Sequence, residues 1–378
     1  MLLFNLQETQ PFGQLKRHGG GKSGEAIFRR IVERGYDVCA VYDSKRWFNP
    51  EIEALALEHG VDLYDSNDCS IYDIIKNKKI ENYFTPLVNS RSVGDFPCNI
   101  FGQIHGLRQL EVPNDYYQLY YKPLRNILHY LKNKYLGKYY KNKEKAFFFK
   151  LFSYRSFHPV AVSYHTANAI KVFYPQMKDA HIPVFYTPPI YEREKCHVKE
   201  SKEKYFLIVS ASIPNKNALR AIQGLDYLFS GGYLNGFKVK ITGASSGNVF
   251  SYKIKNADCF EFLGYIDDSV LSQLYHDAYC LIYPSLNEGF GLPPLESMQF
   301  GVPVLLSAIT SIPEISGYGG VYFNPFSIEE IMNRILFIVN KENYDLMSEL
   351  AKKRFEEVYK IQCRDLDRLI DYIFQFKM

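Results

Sequence analysis

Short apolar runs closed by turn residues recur along this chain in two successive sets, with stretches of helical periodicity between them. That alternation restricts the fold sharply. Strands joined through helices pair in parallel, and the crossover helices must cover both faces of the sheet. The predicted class is therefore α/β, with doubly wound sheets. In the first set, Leu2 to Leu6 precedes a Gly-rich turn, Glu25 to Arg34 is helical, and Asp37 to Tyr42 is the next strand. Asn82 to Pro86, Asn99 to Ile104 and Pro159 to Ser163 follow. The second set runs through Tyr205 to Val209, Phe237 to Gly243, Phe260 to Gly264, Ala278 to Pro284 and Val302 to Ser307. Between the sets, Thr187-Pro188-Pro189 and the mixed-charge stretch Glu192 to Lys204 read as a surface linker.

A length of 378 residues exceeds what one core usually supports, so two domains are expected, over residues 1–187 and 188–356. Hydrophobic residues make up 47% of the chain, which excludes a disordered chain. The net charge of +4 argues against a dedicated nucleic-acid binder. Seven scattered cysteines form no Cys-x-x-Cys pair, so a reducing compartment and no zinc site are expected. The opening Met1-Leu2-Leu3-Phe4-Asn5-Leu6 has neither the charge nor the apolar core of a signal peptide, and no run is long enough to span a membrane. The expectation is a cytoplasmic protein.

The most informative stretch for chemistry is Asn287-Glu288-Gly289-Phe290-Gly291-Leu292-Pro293-Pro294-Leu295-Glu296. It follows a short apolar run stopped by Pro284, and its paired prolines suit the opening of a helix, with Gly301 as a stop. A turn between a strand's carboxyl end and a helix's amino end can receive an anion on backbone N–H groups, here those of Gly289, Phe290, Gly291 and Leu292. Glu288 and Glu296 would flank that anion and accept hydroxyl hydrogen bonds.

The whole string Glu288 to Glu296, with Ser297-Met298-Gln299-Phe300-Gly301-Val302-Pro303-Val304 and Ser311-Ile312-Pro313-Glu314-Ile315, resembles the nucleotide-sugar signature of retaining family 4 glycosyltransferases. The resemblance is clear over the second domain and looser over the first. It implies the GT-B fold, two Rossmann-like domains facing each other across a cleft, with a C-terminal helix, residues 357–378, packing back on the first domain. It also implies transfer of a sugar from a nucleotide-sugar donor to a saccharide or lipid-linked acceptor, as in bacterial surface polysaccharide or lipopolysaccharide assembly. Glu288 would then contact donor hydroxyls near the reacting carbon, Glu296 the ribose, and the backbone of Phe290 to Leu292 the distal phosphate.

Other family positions carry over residue by residue. Pro214-Asn215-Lys216-Asn217 resembles a Pro-x-Lys-Asn turn whose lysine binds the diphosphate, which makes Lys216 the candidate cation. Where the family often has Gly-Arg, this chain has Ser210-Ala211, and Arg220 is the nearest alternative cation. Gln103-Ile104-His105-Gly106-Leu107-Arg108 resembles a strand-end His-Asp-Leu turn with glycine in place of aspartate, and puts His105 beside the reaction centre. Ser163-Tyr164-His165-Thr166 fits a structural turn. In Arg17-His18-Gly19-Gly20-Gly21-Lys22-Ser23-Gly24, a phosphate-binding P-loop reading fails because position 16 is Lys16, not glycine. Gly20 and Gly21 fit instead the family's first loop, where backbone approaches donor or acceptor.

No metal or other cofactor is expected. The only Asp-x-Asp, Asp365-Leu366-Asp367, falls in the terminal amphipathic helix and reads as a solvated face. Between Tyr116 and Arg155 stand ten cations and one acid, Glu144, and Tyr120, Leu124, Ile127, Leu128, Leu131 and Tyr135 recur at helical spacing. Two readings of residues 116–155 stay open: a helix lying on the anionic inner face of a membrane, or one packed on the first domain's core with a solvated outer face. No stacking motif supports nucleic acid. Rival functions are a GT-B nucleotide-sugar epimerase and a non-catalytic sugar-nucleotide-binding module. The sequence leaves open the base, the sugar, the acceptor and the oligomeric state.

Overall fold

A computed structural model describes residues 1–11, 19–122, 124–190 and 203–376. It contains two six-stranded sheets in which every registered pairing is parallel. The first sheet has β1 (Leu2–Asn5), β2 (Val38–Tyr42), β3 (Leu63–Asp65), β4 (Asn82–Thr85), β5 (Asn99–Ile104) and β6 (Phe157–Ala161) in the order β3-β2-β1-β4-β5-β6. The second has β7 (Lys204–Ile208), β8 (Phe237–Thr242), β9 (Phe260–Gly264), β10 (Cys280–Tyr283), β11 (Val304–Ser307) and β12 (Gly320–Phe323) in the order β12-β11-β10-β7-β8-β9. Both orders reverse beside their first strand, which is the switch point of a doubly wound sheet.

The chain divides into two compact units. The first comprises Met1–Leu107, Lys143–Glu192 and Tyr359–Met378, and the second Arg108–Asn142 and Arg193–Val358. This differs from the expected 1–187 in one segment: Arg108–Asn142 belongs with the second unit. The physical reason is a buried ion pair, Asp115 with Arg220, and the burial of Tyr121 in the second unit's core. The terminal residues return to the first unit, where Leu369, Ile370 and Ile373 pack against Phe4, Phe28, Phe84 and Phe101. Their helix is longer than the expected stretch from Lys360 and runs Lys341–Gln375.

The expected solvated face holds for Asp367 in part and fails for Asp365. Asp365 is buried, accepts the Tyr186 N–H at 3.2 Å, and meets Arg364 and Arg368 at 3.1 Å. Asp367 pairs with Arg30 at 2.9 Å. Both carboxylates hold the returning helix in the first unit, Asp365 from a buried position and Asp367 from a side chain that is 43% exposed.

The Gly-rich stretch also differs from its expected form. Its helix begins at Gly19 and runs Gly19–Glu33, six residues before the expected start at Glu25. Arg17, His18 and much of the expected linker lie outside the described residues. Gly24 is required by packing: a Cβ there would fall 2.8 Å from Thr9 and 2.9 Å from Pro86. Among the described residues no helix is long and apolar enough to cross a membrane.

Candidate functional site

In the second unit, β10 ends at Tyr283 and the chain turns through Pro284 to Gly291 into the short helix Leu292–Met298, with Pro293 and Pro294 in its first turn. Gly291 has φ +105°, a left-handed conformation that glycine adopts at little cost. Ser311 holds the turn, its hydroxyl lying 2.9 Å from the Glu288 carbonyl oxygen and 3.1 Å from that of Phe290. Thr310 accepts the Glu288 N–H at 3.2 Å.

Across the sheet, β7 leads to the turn Pro214–Lys216. Asn217, buried and left-handed at φ +55°, closes it, and its amide donates to the carbonyls of Pro284 at 3.1 Å and Pro325 at 2.7 Å. Leu286 N–H donates to the Asn215 carbonyl at 2.9 Å. The two turns are thus sewn together by backbone, and Lys216 meets Glu288. The ammonium donates to Glu288 Oε1 at 2.6 Å and to the Tyr283 hydroxyl at 2.8 Å. Tyr283 and Ser285 each donate to the same Oε1 at 2.6 Å. Lys216 is 18% exposed and Glu288 11%, so water screens the pair little.

Burial alone would raise the Glu288 carboxyl, but the Lys216 charge and the hydrogen bonds from Lys216, Ser285 and Tyr283 outweigh it and hold the group below its ordinary value. Burial and the Glu288 charge push the Tyr283 phenol far up, so it stays a protonated donor. The arrangement leaves a defined remainder. Among the described residues nothing donates to Glu288 Oε2, and the third Lys216 N–H has no acceptor. A cation and a carboxylate oxygen therefore stand side by side, both fixed and both with spare capacity.

Glu296, on the helix, is half-buried and takes a hydrogen bond from Tyr275, whose hydroxyl burial and the Glu296 charge push far up. Gly289, Phe290, Gly291 and Leu292 form the intervening turn in the same unit. His105, Gly20 and Gly21 belong to the first unit, and there Gly20 and His105 come together around one turn. His105 Nε2 lies 2.9 Å from the Pro86 carbonyl oxygen, and a Cβ on Gly20 would fall 3.0 Å from Leu87. Gly106 has φ +104°, so the glycine that replaces the family's aspartate serves the backbone.

Arg220 does not act as a second free cation. It is 3% exposed and pairs with Asp115, itself 5% exposed, at 2.6 Å. Its guanidinium also donates to Asn217 Oδ1 at 2.7 Å and lies 3.6 Å from the Tyr117 ring centroid. It therefore braces Asn217 and through it the Lys216 turn. Tyr283, Ser285, Asn217, Thr310 and Ser311 all support the pair, and the sequence reading did not single them out. Asn217 and Ser311 stand inside the motif strings and Tyr283 and Ser285 lie close to Glu288 in the chain, whereas Thr310, 22 residues from Glu288, carries no local signal.

Residues 192–356 match the family model described as glycosyl transferases group 1. The O-antigen chain mannosyltransferase RfbU of Salmonella typhimurium is 32% identical over 179 residues, 47% of this chain and 50% of that protein. The chain thus matches about half the length of that relative. Among solved structures, WaaG, a glycosyltransferase involved in lipopolysaccharide biosynthesis, aligns over 100% of both chains with a TM-score of 0.68 at 15% identity. Anabaena HepE, solved in complex with UDP and glucose, aligns over 99% of both chains with a TM-score of 0.65 at 11% identity. At these identities the likeness speaks for the fold, which is the expected GT-B fold.

Proposed function

We propose that this chain, whose residues 192–356 belong to the glycosyl transferases group 1 family and which has the GT-B fold, transfers a sugar from a nucleotide-sugar donor to an acceptor hydroxyl. The observation that carries the reading is the Lys216–Glu288 pair with one N–H and one carboxylate oxygen to spare. A diphosphate sugar has the matching groups, an anion for Lys216 and a ring of hydroxyls for Glu288 Oε2. The name of the mannosyltransferase relative supports surface polysaccharide assembly as the setting and makes a mannosyl nucleotide the first donor to test.

Transfer proceeds with retention of the anomeric configuration. The bond from the anomeric carbon to the diphosphate oxygen breaks, and the acceptor oxygen bonds to the same face. The acceptor's proton passes to the departing diphosphate. Lys216 and the turn at Gly289 to Leu292 stabilise the leaving group's charge, the largest electrostatic demand of the step, without a metal ion. Glu288, kept ionised, orients the sugar rather than acting as an acid. Glu296 holds the ribose, and His105, Gly20 and Gly21 are the first unit's candidate contacts. The acceptor is saccharide or lipid-linked, and residues 116–155 contact the cytoplasmic face of a membrane.

Incubation with a panel of nucleotide sugars and a cell lipid and glycan extract, followed by mass spectrometry, tests this. Acceptor-dependent release of a nucleoside diphosphate together with a glycosylated product is expected, with the anomeric configuration read by NMR. A donor converted to its epimer without acceptor would replace the transferase reading, and inversion would refute the retaining step.

A further inference from the structure

In each sheet the strand order reverses between two neighbours, β1 and β4 in the first and β7 and β10 in the second. The crevice at the carboxyl ends of such a pair is where a doubly wound sheet receives its ligands. In the second unit Lys216, which follows β7, and Glu288, which follows β10, bridge that crevice. The first unit has a bridge of its own in the same place. Glu8 closes the short turn Leu6–Glu8 directly after β1, Asn89 stands in the loop after β4, and the Asn89 amide donates to Glu8 Oε2 at 2.6 Å. Asn89 is held from behind, its Oδ1 accepting the N–H groups of Arg91 at 2.9 Å and Ser92 at 3.1 Å. The Ser92 carbonyl accepts the Tyr83 hydroxyl at 2.6 Å, and Asn5 donates to that hydroxyl at 2.8 Å. Glu8 is 8% exposed, and among the described residues nothing donates to its Oε1. Burial raises its carboxyl above the ordinary value, against the Asn89 hydrogen bond and the charges of Arg46 and Arg91.

We propose that the crevice between β1 and β4 is a saccharide site, in which Glu8 Oε1 receives a sugar hydroxyl and Asn89 holds the carboxyl in position. The site rests on the transferase reading only for calling that saccharide the acceptor. Its surroundings select the ligand's chemistry. A carboxylate repels an anion, and the two guanidinium charges that reach Glu8 disfavour a cation, so a neutral O–H donor is the group that fits Oε1. A hydroxyl donated there returns part of the hydrogen bonding that burial took from the carboxyl. Because Oε2 is tied to a braced amide, Oε1 points in one direction, and a saccharide without a hydroxyl at that point would leave a buried oxygen without its donor. Both units then use the same device, a polar pair across the switch point with one carboxylate oxygen fixed and the other kept for a hydroxyl.

The test is ligand-observed NMR of the full chain with the methyl glycosides of mannose, glucose, galactose and N-acetylglucosamine. At least one should bind saturably, and Glu8→Gln should weaken it about tenfold or more, the scale of one hydrogen bond to a charged group. Asn89→Ala leaves the carboxyl in place but frees its orientation, and should weaken the same glycoside by a smaller factor. Circular dichroism establishes that the variants are folded, and if Glu8→Gln does not fold, Asn89→Ala decides alone. A purely structural Glu8 would lower the melting temperature and leave glycoside affinity untouched, which would overturn the site. No glycoside binding to wild type, or displacement of the Glu8-dependent glycoside by inorganic phosphate, would also overturn it. Calorimetric titration of the same proteins with nucleotide sugars separates the two readings. Nucleotide-sugar binding together with glycoside binding indifferent to Glu8 sinks the saccharide site alone. Glu8-dependent glycoside binding without any nucleotide-sugar binding sinks the transferase reading alone.

Discussion

Lys216 and Glu288, 72 residues apart in the chain, meet at 2.6 Å, and the same carboxylate oxygen also accepts the hydroxyls of Tyr283 and Ser285. Three donors on one oxygen fix the carboxylate plane and aim the second oxygen away from the cluster. Lys216→Ala would leave that carboxylate without its cation. We expect a loss of about 3 kcal/mol in stability, the scale of breaking a largely buried pair. Turnover should fall by about 10²-fold or more, the scale of removing one group that stabilises developing charge. Chemical denaturation and steady-state kinetics measure the two separately. A variant with wild-type turnover would remove Lys216 from the chemistry.

Acid should weaken the fold through Glu288. Its carboxyl sits below the ordinary value of 4.5 when folded, so the charged form stabilises the protein above that pH, and the contribution is lost as pH falls through the folded value. Urea midpoints measured from neutral pH downward should drop less steeply for Glu288→Gln than for wild type. Parallel curves would show that the pair does not couple to folding.

Arg220 and Asp115 make the most deeply buried ion pair at this site, under the ring of Tyr117. Asp115→Ala would strand a guanidinium and should cost about 3–5 kcal/mol. Adding Arg220→Met should recover part of that loss, because the uncompensated charge goes with it. Thermal melts of the two single variants and the double variant form the cycle. Strict additivity would mean that the pair has no coupling.

Ser210 holds φ +56° where the resembling family often has glycine. A left-handed backbone costs a residue with a Cβ about 1–2 kcal/mol, so Ser210→Gly should stabilise by about 1 kcal/mol. Gly243→Ala should do the opposite, since its Cβ would fall 2.8 Å from the Ser210 Cα. Denaturant midpoints for the two variants should move in opposite directions.

The second sheet was the most legible part of the chain, because β7, β10 and β11 are largely buried apolar runs, β8 alternates Phe237, Val239 and Ile241 with lysines, and each ends close to a Gly, Pro or Ser. The strands that escaped notice, β3 and β12, lie at sheet edges, are three and four residues long, and are mostly half-buried, so their composition carries little contrast. Glycines at 19–21 and 24 looked like loop because propensity is local, whereas Gly24 is demanded by Thr9 and Pro86, distant in sequence. Asp365 looked solvated for the same reason: its partner Tyr186 N–H lies 179 residues away. At the site, Lys216 and Glu288 stood out through their motifs. Their contact, and the capture of Arg220 by Asp115, depend on how β7 and β10 pair and on where Arg108–Asn142 docks.

The central claim is that the Lys216–Glu288 pair receives a diphosphate sugar. Calorimetric titration of a panel headed by a mannosyl nucleotide, into wild type and Lys216→Ala side by side, tests it most directly. The account predicts saturable binding of at least one nucleotide sugar to wild type and binding about tenfold or more weaker to the variant, the scale of one charge-assisted hydrogen bond. Equal affinity in the two proteins, or no binding of any donor to wild type, would contradict it.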